Sequence, residues 1–137
     1  MFTTLMIPVD LAHTDQMEKA VTVAADLAEL YSAKAHLVGV TMSGPTSIAT
    51  GEKEFTQKLE SFARWCSQEH GVAFAPVVKL SHDLTIDLDA VLMRAAKDLE
   101  ADLIVMASHT PGLAEHLFAS NAGYLASHMD TSVMVIR

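Results

Sequence analysis

The stretch "ADLIVMASHTPGLAEHLFASN", residues 101–121, runs from an apolar segment through a polar turn into what reads as a helix start. Its apolar part, residues 103–107, is continuous rather than alternating, the pattern of a parallel strand covered on both faces. Strand, loop and helix N-terminus together form the unit in which α/β proteins often hold phosphate. Free backbone N–H groups and the positive end of the helix dipole converge there. Such loops are usually rich in glycine, yet Gly112 is the only one between positions 107 and 121.

Four more apolar runs, residues 5–9, 35–40, 72–78 and 132–136, bring the expected strands to five. Helical stripes lie between them. Met17, Ala20, Val21, Ala24, Leu27, Ala28 and Tyr31 recur along one face, and so do Phe55, Leu59, Phe62, Ala63 and Cys66. A third stripe holds Leu88, Val91, Leu92, Ala95 and Leu99, with Asp87 as the expected N-cap. A fourth, shorter helix is expected over residues 118–128. Strands that alternate with helices call for a doubly wound parallel sheet with helices on both faces. Pro76 places the third strand at an edge, because proline cannot donate to a ladder. Pro8 sits near the end of the first strand, where a lost rung matters less. The expected order is 3-2-1-4-5, which sets strands 1 and 4 side by side at a topological switch point. Ligands of such sheets bind outside the carboxyl ends of the strands there. Those ends carry Asp10 and the quoted loop.

Bulk properties narrow the function classes. The 137 residues suit one domain, residues 1–137, with a respectable core. Half the chain is hydrophobic and the formal charge is −8, which argues against general affinity for nucleic acid or anionic membrane. No apolar run approaches the roughly 18 residues of a membrane helix, so no membrane insertion is expected and the cytoplasm is the expected location. Cys66 is the only cysteine and excludes an internal disulfide. It lies on an apolar stripe, as a buried, inert thiol would. Seven histidines form neither H-x-x-x-H nor H-E-x-x-H, so no metal site is expected. There is no Walker motif, no G-x-S-x-G and no paired acid and base, and no catalytic residue is assigned.

"LMIPVD" at the start, "ADLIVMASH" before the loop and "SVMVIR" at the end resemble the universal stress protein (UspA) family. The match spans the whole chain, element for element, and implies the adenine nucleotide alpha hydrolase-like, Rossmann-like fold. Many members bind ATP through G-x-x-G, nine residues, then G-[ST]. Here Ala107 and Thr110 stand at the first two glycines. Ala119-Ser120 is the closing pair, after eight residues rather than nine. "ASHTP…ASNA" is closer to a branch reading S-x-x-P followed by L-L-G-S-N-A, although its glycine is Ala119 here. The resemblance implies a nucleotide site of Pro8, Val9, Asp10, Val40, Met106, Ala107, His109, Thr110, Ala119, Ser120 and Asn121. Asp10 and the backbone of Val40 take the adenine end, and the ligand is ATP or AMP, with Mg if ATP.

Each residue also has a plainer role. Asp10 suits a turn or helix cap, Ser120 and Asn121 suit an N-cap, and His109 suits a solvated loop. Thr110 is β-branched and precedes Pro111, so the loop is not expected to trace the glycine version. The leading reading is a stress-response or regulatory protein with a weakened ATP/AMP crevice. The alternative is a nucleotide-independent interaction module with an unknown protein partner, and a slow ATPase is third. The terminal strand is an unprotected apolar edge, so a homodimer is expected with Val133, Met134, Val135 and Ile136 at or beside the contact.

Overall fold

The structure is a computed structural model that describes residues 1–43, 45, 49–108 and 119–137, with the backbone alone at Thr85 and residues 119–121. In chain order the elements are β1 (Thr4–Val9), a 3-10 segment (Leu11–Met17), α1 (Glu18–Tyr31), β2 (Lys34–Thr41) and α2 (Glu52–His70). They continue with β3 (Phe74–Leu80), α3 (Leu84–Asp98), β4 (Leu103–Ala107), α4 (Ala119–His128) and β5 (Ser132–Ile136). All described strand pairs are parallel and the order is β3-β2-β1-β4-β5, as the sequence predicts.

Two cores explain the continuous apolar runs. Leu5, Ile7, Val9, Leu37, Leu103 and Val105 point to one face of the sheet. They pack with Ala20, Val21, Ala24 and Ala28 of α1 and with Leu59, Ala63 and Cys66 of α2. The residues between them, Met6, Val38, Ile104 and Met106, point to the other face, against Leu88, Leu92, Ala95 and Ala96 of α3 and Ala122 and Leu125 of α4. Gly39 allows α2 to lie close on β2. A Cβ there would stand 2.9 Å from Cε1 of Phe55 and 3.0 Å from Cδ2 of Leu59. Cys66 is fully buried, and that burial pushes its thiol up to about 11. Among the described residues no helix is long and apolar enough to cross a membrane.

Three local readings differ from the sequence expectation. The third helix begins at Leu84, so Asp87 lies in its first turn and is not its cap. The amides of Ile86 and Asp87 donate to the Asp83 carbonyl, at 3.2 and 2.8 Å, and the Asp83 amide donates to Ser81 Oγ. β3 begins at Phe74 rather than Val72, because Gly71 closes α2 at φ 68° and the chain turns before it extends. The 3-10 segment after β1 carries no apolar period and is not foreseen.

Backbone direction decides what each edge offers. In a parallel ladder one residue turns both N–H and C=O to one neighbour, and the next turns them to the other. The Ser81 amide donates to the Thr41 carbonyl, so Lys79 and Val77 face β2 while Pro76 faces outward. Pro76 therefore removes no rung and blocks the outer edge of β3. The amide of Phe74, also outward, is taken by Ser67 Oγ at 2.9 Å. At the opposite edge the Ser108 amide donates to the Ile136 carbonyl at 2.6 Å, so Ile136 and Met134 face β4. Val133 and Val135 turn their backbone groups to the open edge, and Val135 is 42% exposed.

The amino ends of β1 and β4 are tied by Asp102. Its carboxylate accepts from the Thr3 amide and hydroxyl, at 2.8 and 2.9 Å, and from the Thr4 amide at 3.0 Å. Burial raises the carboxyl, but these bonds from Thr4 and Thr3 outweigh it and leave the group below its ordinary value. Asp102→Ala should lower stability by about 1–2 kcal/mol, the lower part of the range for bonds to a charged acceptor, since the site is partly exposed. A folded-state value below the unfolded one means the contribution is full above the unfolded value. It is lost as the pH falls through the folded one. Urea titration of both proteins should show the gap at neutral pH and its closure in acid.

Candidate functional site

The β1–β4 ladder ends early, at the carboxyl ends where the sequence expects a crevice. The register of the two strands is held at Leu5↔Leu103 and Met6↔Ile104 only. The Thr4 carbonyl accepts from the Asp102 amide, so Thr4, Met6 and residue 8 are the β1 positions that face β4. The next rung would be the amide of residue 8 donating to the Val105 carbonyl. Pro8 has no N–H, and the ladder stops. The missing rung, which the sequence suggests is of little consequence, ends the pairing of β1 and β4 and leaves residues 7–9 and 105–107 unpaired with one another.

The opposite wall is β2. The Lys34 amide donates to the Thr3 carbonyl, so even-numbered residues of β2 face β1. β1 pairs as far as Val9↔Gly39, one residue short of Val40, which is still in register with Lys79 of β3. The amide of Val40 meets the Val9 carbonyl at the last rung. Its own carbonyl points to the same side, where the ladder has ended. That carbonyl is an acceptor at the mouth of the crevice. The side chains of Val40 and Met106 belong to the α3/α4 face of the sheet, with Met106 fully buried, while Val9 and Ala107 belong to the α1/α2 face.

Asp10 follows β1 directly. Its Oδ1 accepts from the Ala12 amide at 3.0 Å, which caps the 3-10 segment, and Oδ2 meets His13 Nδ1 at 2.9 Å. The plainer role of Asp10 as a cap is thus observed. Each oxygen keeps a second lone pair, and the side chain is 18% exposed. The sequence gives no sign of His13, whose ring completes this arrangement from a segment without periodicity.

The backbone of Ala119, Ser120 and Asn121 is helical, at the start of the described part of α4. The sequence expects this helix from residue 118, which lies outside the described residues. Amides of a first turn have no intrahelical partner and favour an anion. The side chains of these three residues, and His109 and Thr110 altogether, lie outside the described residues. The site therefore joins Pro8, Val9, Asp10, Val40, Met106 and Ala107 at one end of the sheet, and the α4 terminus follows from the same strand.

The sequence profile of the Universal stress protein family matches residues 1–137. Universal stress protein G of Escherichia coli O157:H7 is 28% identical over 149 residues and is matched over 100% of both chains. A crystal structure of a universal stress protein in complex with cAMP superposes with a TM-score of 0.70 at 16% identity, covering 99% of this chain and 97% of that one. The universal stress protein of Archaeoglobus fulgidus in complex with dAMP gives 0.69 at 16% identity, covering 98% of each. At these identities the two structures establish the shared fold.

Proposed function

Since the chain belongs to the universal stress protein family, we propose that it is a cytoplasmic stress-response protein whose β1–β4 crevice takes an adenine nucleotide, AMP or ATP. The observation that carries this reading is the termination of the β1–β4 ladder at Pro8, beside an unladdered Val40 carbonyl and Asp10. An adenine ring carries one exocyclic amine and an apolar face. Val40 C=O and Asp10 accept from the amine, and the half-buried side chain of Val40 lies along the ring. Val9 and Ala107 close the other side. The phosphate end falls to the first turn of α4, with Ser120 and Asn121, and to His109 and Thr110 of the loop; Mg accompanies ATP. Relatives of the same fold, solved with cAMP and with dAMP, support an adenine monophosphate.

A second reading, a nucleotide-independent interaction module, is favoured by Ala107, Thr110 and Ala119, which stand where the glycine motif lets backbone approach phosphate. The two are separated by denaturing protein purified from cells and running its supernatant on anion exchange. The nucleotide reading predicts a released adenine nucleotide. An empty supernatant, with no binding of added nucleotide, supports the interaction module. In either case the domain, residues 1–137, acts as a homodimer through β5.

A further inference from the structure

We propose that a second site, a cavity of about 280 Å³ between the start of α1 and the later turns of α2, binds an alkylammonium group. It is independent of the nucleotide reading and is lined by none of the crevice residues. One wall is aromatic: Phe62 and Trp65, one turn apart on α2, stack with ring centroids 6.2 Å apart and planes at 20°. Trp65 is 51% exposed, so its ring is open to a ligand. The other wall is acidic. Asp15 lies in the last turn of the 3-10 segment and Glu18 opens α1, three residues on. Both are exposed, and among the described residues neither carboxylate enters an ion pair. Val21 adds an apolar floor.

Carboxylates opposite a π-face select a particular ligand chemistry. A cation is held by both, by charge on one side and by the ring quadrupole on the other. Its methylene or methyl skin finds Val21 and Phe62. An anion is repelled by the acids and by a chain of net charge −8. A hard metal ion would need about six or more oxygen ligands, and an aromatic wall supplies none. The volume lies just under the roughly 300–1,000 Å³ of a typical small-molecule pocket, so one ammonium head with a short stem fills it.

Trp65 is the only tryptophan, so the fluorescence of the intact protein reports this cavity directly. Choline should change it saturably, with a midpoint on the order of 1 mM, whereas 3,3-dimethylbutan-1-ol, the neutral carbon isostere, should not. Asp15→Asn with Glu18→Gln, at exposed positions that leave the far-ultraviolet dichroism unchanged, should weaken choline by about tenfold or more. Nα-acetyl-lysine amide, titrated in parallel, distinguishes the source: tighter binding than choline assigns a protein side chain, weaker binding a free small cation. An equal response to the isostere, an undiminished affinity in the double variant, or no saturation by about 50 mM of either cation would overturn the proposal.

Discussion

Val135→Pro should convert a homodimer of twice 14.8 kDa into a folded monomer of 14.8 kDa, read by light scattering at micromolar concentration. The two edges of the sheet are not equivalent. At β3, Pro76 occupies an outward position and the outward amide of Phe74 is already bonded to Ser67 Oγ. At β5, Val133 and Val135 turn unused N–H and C=O groups to the open edge, with side chains partly exposed beside them. Such an edge is a template for another strand, and a second copy in antiparallel register satisfies both at once about a two-fold axis. Met134 and Ile136 face β4, so proline at 135 spares the β4–β5 ladder. It removes one donor from each copy, together costing about 2 kcal/mol of association, roughly thirtyfold, before the ring's own bulk is counted. A wild-type monomer refutes the dimer. A variant that is folded and still dimeric places the interface elsewhere.

Asp10→Ala should weaken AMP by about ten- to a hundredfold, since one N–H of the adenine amine left without an acceptor in a desolvated crevice costs roughly 1–3 kcal/mol. The same change removes the cap on the Ala12 amide and should lower stability by about 1 kcal/mol. Asp10→Asn separates the two roles. Asparagine caps as well as aspartate, so stability should hold, yet its Nδ2 is a donor and cannot accept from the amine. Isothermal calorimetry and urea midpoints on both variants check this. If Asp10→Ala keeps full affinity, Asp10 is a cap and nothing more.

The alternation of strands and helices was legible in hydrophobic period, and the edge position of strand 3 in Pro76. Pro76 marks an edge by the same rule that makes Pro8 a ladder terminator. What the sequence could not show is the direction of each backbone amide, and direction is why one proline is harmless and the other opens the crevice. The start of α3 was misread for a related reason. Its first turn carries Ile86 at 77% exposure, so no buried stripe announces it, and Asp87 imitates a cap one turn into the helix. His13 lies in a kinked 3-10 segment, at φ −138° and ψ 52°, where no periodicity points to its meeting with Asp10. Resemblance and strand position place Asp10, Val40 and Met106 at the carboxyl end of the sheet, and the structure has them there. The open carbonyl of Val40 became visible only from the register of three strands.

The most direct test of the crevice is calorimetric titration of AMP into the wild-type protein. Pro8, Asp10 and the Val40 carbonyl together predict saturable heat, with one AMP per chain and a dissociation constant below about 1 mM. No heat at millimolar AMP, or at millimolar ATP with magnesium, would contradict the account.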